Sequence, residues 1–120
     1  MNFNSILIGS EDAPRLVEYY TKLFGKPSWD DGSGYIGWLI GSGGIMVGPH
    51  DQVHGKNGEP GRLIWNFESP DVKADFERLK TAGAIVVREP YNFEQAPGTW
   101  IATLADPDGN YFQLVSPMQM

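Results

Sequence analysis

SILIGSEDAPRLVEYYTKLFG, from Ser5 to Gly25, and IWNFESPDVKADFERLKTAG, from Ile64 to Gly83, are two versions of one unit. Each passes from a strand-like stretch through a serine and an aspartate into a helical pattern that stops at glycine. Asp12 and Asp71 stand 59 positions apart (71 − 12), half of the 120-residue chain. A period of that length marks an internal duplication and sets the reading of everything between the copies.

In the first copy Ala13, Leu16, Val17, Tyr20, Leu23 and Phe24 recur at three- and four-residue steps, which predicts one apolar helix face. Ser10 is the expected N-cap, and Gly25 with Pro27 ends the helix. In the second copy Val72, Phe76 and Leu79 form the stripe. Ser69 is the expected cap, Pro70 suits the first helical position, and Gly83 closes the end. Three strand-like runs follow each helix. They are residues 28–30, 35–40 and 45–47 in the first copy, and 84–88, 99–104 and 111–115 in the second. Gly41 to Gly44 and Asp106 to Asn110 supply turn chemistry for the last hairpin of each set. The prediction is βαβββ twice, an α+β chain in a single domain, with module one over about 1–49 and module two over about 61–117.

The wording of these segments resembles the vicinal-oxygen-chelate superfamily, which contains the glyoxalases, bleomycin-resistance proteins and extradiol dioxygenases. DAPRLVEYYTKLFG (Asp12 to Gly25) is similar to its first helix. NFESPDV (Asn66 to Val72) is similar to the start of its second module. ADPDGNYFQLVSP (Ala105 to Pro117) is similar to its closing hairpin and is the most specific piece. The resemblance implies curved mixed sheets around a cleft, helices on the outer faces, and a homodimer. It also implies four metal-ligand positions, which here hold Ser5, a residue near Val47, Ile64 and Gln113. A divalent ion needs carboxylate, imidazole or thiolate donors. Two neutral oxygens and two hydrocarbons do not supply them, so neither metal nor another cofactor is expected.

Strand parity carried from those positions turns Ser5, Leu7, Ile45, Val47, Ile64, Asn66, Tyr111, Gln113 and Val115 towards the cleft. Ile6, Ile8, Trp65, Phe67, Phe112 and Leu114 then point to the helices. Trp38 and Trp100 are added as aromatic cleft walls. His50 and His54 lie in a Gly- and Pro-flanked loop and are expected at the cleft rim. Tyr91 and Phe93, in a loop over residues 89–98, are expected beside them. The only carboxylate evident near the histidines is adjacent Asp51.

A cleft of this composition suits a small organic ligand held by shape, stacking and a few hydrogen bonds. The leading expectation is therefore a metal-independent binding protein for a drug or metabolite. The alternatives are a lyase, isomerase or dioxygenase-type enzyme using the same cleft, and a domain that associates with a partner. Net charge is −6 and the basic residues are scattered, which argues against nucleic acid. No apolar run approaches a membrane span or a secretory leader, and cysteine is absent. A cytoplasmic protein is the expectation.

Overall fold

The computed structural model describes residues 1–93 and 95–117. The chain divides into two compact units, Met1–Gly55 and one beginning at Lys56. The first holds β1 (Ser5–Ser10), α1 (Ala13–Phe24), β2 (Trp29–Asp30), β3 (Ile36–Ile40) and β4 (Gly43–Pro49). The second holds β5 (Trp65–Glu68), α2 (Val72–Thr81), β6 (Ile85–Phe93), β7 (Ala96–Ala105) and β8 (Tyr111–Val115). Both are βαβββ modules, as the duplication predicts. Their open mixed sheets have the orders β1-β4-β3-β2 and β5-β8-β7-β6. In each, the first strand runs parallel to the last and the other pairs are antiparallel.

Each helix covers one face of its own sheet. In module one Leu16, Tyr20 and Leu23 are buried together with Ile8, Trp38, Ile45 and Val47. In module two Phe76 and Leu79 are buried, as are Ala102, Leu104, Phe112 and Leu114 on the sheet. The apolar helix faces drive this packing, since buried hydrocarbon is the main favourable term in folding. The opposite sheet face has no helix, and that face concerns function.

The caps correct the sequence reading in the same way twice. The N-caps are Asp12 and Asp71, whose side chains accept from the backbone N–H of Arg15 and Ala74. Ser10 and Ser69 stand two residues earlier and accept from the N–H of Asp12 and Asp71 at 3.0 and 3.2 Å. Pro70 accordingly precedes the cap and is not in the first helical turn. Serine and aspartate both favour caps, and spacing alone did not choose between them.

Residues 89–98 differ more. Residues 89–93 and 95–98 lie at the end of a long hairpin, with β6 running to Phe93 and β7 starting at Ala96. The sequence reading expects a loop here, and Pro90 lies within β6. However, β6 is an edge strand, where a residue without an N–H costs no ladder bond on its outer side. Among the described residues no helix is long and apolar enough to cross a membrane.

Candidate functional site

Residues paired across neighbouring strands point to the same side of a sheet, so the ladder registers define rows on each face. On the helix-free face of module two one row is polar from edge to edge. Asn66 pairs with Gln113, Gln113 with Thr103, and Thr103 with Arg88. Gln113 donates from Nε2 to the Thr103 hydroxyl at 3.2 Å. The Arg88 guanidinium lies over the Tyr91 ring, 3.6 Å from its centroid. The flanking rows are more apolar, with Tyr91, Ile101 and Val115 on one side and Ile85, Ala105 and Tyr111 on the other. Ile64 precedes β5 and is half-buried. Arg88 escaped the sequence reading because strand parity is broken around it. Register shifts fall between Val86 and Arg88 and between Arg88 and Tyr91. Extra residues of this kind re-aim a side chain, and here they bring Arg88 into the row of Thr103.

The equivalent row of module one has the opposite character. Leu7 pairs with Met46, Met46 with Gly37, and Gly37 with Trp29. Leu7 and Trp29 are 56% and 44% exposed, large values for side chains of this kind. A Cβ at Gly37 would lie in van der Waals contact with Met46 and Trp29, at 3.5 and 3.8 Å. Ser5 shares this face and is exposed. Gly9 and Gly48 form a neighbouring pair on it, and the Tyr35 ring rests directly on Gly48. A Cβ at Gly48 would stand 2.0 Å from a Tyr35 ring carbon. Gly48→Ala must therefore swing the ring away. We expect about 1–3 kcal/mol of destabilisation, measured by chemical denaturation, as for other overpacked sites.

Four expected cleft residues sit elsewhere. Val47 pairs with Ile8 and is fully buried on the helix side. Asn66 precedes Asp71 by five positions (71 − 66), as Leu7 precedes Asp12 (12 − 7). The partner of Leu7, Met46, is therefore the counterpart of Gln113, and the parity error is one residue. Ile45 moves to the helix side with Val47. Trp38 pairs with Ile45, is 3% exposed, and donates its indole N–H to the Gly25 carbonyl at 2.9 Å. It is a core residue. Trp100 alternates with buried Ala102 and lies on the helix side of module two, with the Lys73 ammonium 3.8 Å from its ring centroid. There it lines an open recess of about 810 Å³ with Pro70, Lys73 and Ser116. Tyr91 is a ladder residue opposite Ile101 and not part of a loop. The Phe93 side chain lies outside the described residues.

The histidine loop folds over the end of the module-one face. Its His50 Cβ is 3.0 Å from where a Gly9 Cβ would stand. His50 and His54 line a recess of about 640 Å³ with Glu11, Tyr35 and Val53. His54 Nδ1 is 3.7 Å from a Glu11 carboxylate oxygen, while Glu11 also accepts from the Gly55 N–H. His50 Nδ1 is 3.9 Å from Asp51. The carboxylate beside His54 is thus Glu11, a residue 43 positions away (54 − 11) that adjacency could not reveal.

A glyoxalase-like domain model matches residues 5–115, nearly the whole chain. The chain belongs to the glyoxalase-like family of the vicinal-oxygen-chelate superfamily. Solved structures agree in fold. A protein described as a conserved domain protein has TM-score 0.78 and 22% identity over 98% of this chain and 100% of its own. A glyoxalase-related enzyme from Fulvimarina pelagi has TM-score 0.73 and 17% identity, covering 98% and 88%. A glyoxalase/bleomycin resistance protein/dioxygenase family enzyme from Burkholderia phytofirmans PsJN has TM-score 0.73 and 18% identity, covering 98% and 100%. No curated protein sequence matches the chain.

The metal-ligand positions of this glyoxalase-like chain can now be assigned in register. They carry Ser5, Met46, Ile64 and Gln113. None is a carboxylate, imidazole or thiolate, and isoleucine has no donor atom. This set does not fit a divalent ion. Nor, among the described residues, do three or more His, Cys, Asp or Glu side chains group closely enough to hold one elsewhere.

Proposed function

We propose that this glyoxalase-like chain binds a small organic molecule, a drug or metabolite, without a metal ion, using the helix-free faces of its sheets. One observation carries the reading. In each module the register row that includes one of the family's ligand positions, Gln113 or Met46, carries side chains suited to recognising a ligand. It is a hydrogen-bonding row, Asn66–Gln113–Thr103–Arg88, in one and an apolar row, Leu7–Met46–Gly37–Trp29, in the other. Within module two the polar row is flanked by Ile101, Val115 and Tyr111, and apolar surface with a few oriented polar groups is the usual make-up of a ligand site. A homodimer in the cytoplasm belongs to the same reading, and exposed Leu39, Ile85, Val86 and Val87 are available for pairing.

Thermal-shift screening with planar aromatic metabolites and antibiotics tests the proposal. A ligand at about one hundred times its Kd adds roughly 2.7 kcal/mol to the native state, enough to raise the melting temperature by several degrees. The absence of any shift across a broad set at millimolar concentration would count against binding. A second reading, a lyase or isomerase, is favoured by the His54–Glu11 pair beside Tyr35 in the module-one recess. An imidazole with a carboxylate close by can serve as a general base. Turnover that His54→Ala abolishes would decide for it.

A further inference from the structure

The polar row of module two says more about the ligand than that it is small. The chain has four arginines, and three of them face an acid three positions earlier in sequence. Arg15 has Asp12, Arg62 has Glu59 and Arg78 has Asp75. Arg88 has no carboxylate at ion-pair distance among the described residues. Its recorded contact is with the Tyr91 ring, over which the guanidinium is stacked, and among the described residues its N–H groups meet no anionic acceptor.

Position adds to this. Register shifts on both sides place Arg88 in the row of Thr103, Gln113 and Asn66. These side chains offer hydroxyl and amide groups in line with the cation. Glu68 pairs with Val115 on this face, but it stands on β5, three strands from β6. At the usual spacing of about 4.8 Å per strand, that is about 14 Å away. A guanidinium stacked on a ring, brought onto a sheet face between register shifts and without a carboxylate partner among the described residues, has no role in the core. It matches the fork geometry that recognises a carboxylate, sulfonate or phosphate on a ligand.

We propose that Arg88 reads an anionic group on the ligand, so that the ligand is an apolar molecule carrying a carboxylate or similar oxyanion. Gln113 and Thr103 orient the group next to it. This rests on the binding reading above, and the test separates the two. The probes are 8-anilinonaphthalene-1-sulfonate and N-phenyl-1-naphthylamine, one fluorophore with and without its sulfonate. Both are titrated into the full chain by fluorescence.

The wild type is expected to bind the sulfonate about tenfold more tightly than the neutral probe, although its net charge of −6 disfavours anions. Arg88→Met is expected to remove that preference, with the neutral probe as the reference for any general weakening of the site. Arg88→Lys, which keeps the charge but not the fork, is expected to fall between and serves if the methionine variant folds poorly. A wild type with no preference for the sulfonate, or a preference that survives both substitutions, overturns the assignment and leaves the binding proposal standing. If neither probe binds the wild type, the binding proposal fails and takes the assignment with it.

Discussion

Trp38→Ala is expected to destabilise module one by about 3–5 kcal/mol, the usual cost of deleting a buried aromatic side chain. The indole is 3% exposed and sits 6.1 Å from the Tyr20 ring. Its N–H also satisfies the carbonyl of Gly25 at the end of α1. Removing it leaves a void under the helix and a helix end without that donor. Since small domains hold only about 5–15 kcal/mol in total, the variant should be partly unfolded at ordinary temperatures. Trp38→Phe keeps most of the volume and should lose considerably less. Urea denaturation checks both. A loss below about 1 kcal/mol in Trp38→Ala, accompanied by weaker probe binding, would instead place Trp38 in the ligand site.

Asp106→Ala is expected to cost about 3 kcal/mol or more in module two, because it leaves several buried donors without acceptors. Asp106 is 2% exposed. One carboxylate oxygen accepts from the backbone N–H of Asp108 at 2.9 Å and of Asn110 at 3.0 Å. The other accepts from the Asn110 side-chain amide at 3.0 Å. The turn so fixed joins β7 to β8, and therefore sets the register of Thr103 against Gln113. Asp106→Asn retains an oxygen for the two backbone donors and should fall well short of the alanine loss. Thermal denaturation of the pair gives the comparison, and equal losses in the two variants would contradict this account of the turn.

Much of the fold was legible because a duplication repeats its signals. The βαβββ order, the apolar stripes of both helices and the turn at Asp106–Asn110 all follow from local chemistry. Tyr19, buried beside Tyr20, lay outside the predicted stripe because helix periodicity fixes a face only to within one residue. The site was legible only in part. Ser5, Leu7, Asn66 and Gln113 fall on the helix-free faces because their strands are short and regular. Val47 was misplaced by one residue, and a one-residue slip in a strand moves a side chain to the opposite face. Arg88 was hidden by the irregular edge strand β6, where period-two parity does not hold. Glu11 was hidden by sequence distance from His54, and pairing across a loop leaves no local mark.

The central claim is that these sheet faces hold an organic molecule without help from a metal ion. The most direct measurement is the affinity of the chain for N-phenyl-1-naphthylamine before and after exhaustive treatment with a chelator, and again after loading with nickel, zinc, iron or manganese. The account predicts one unchanged dissociation constant throughout. Loss of binding on chelation, restored by one equivalent of a divalent ion, would contradict it.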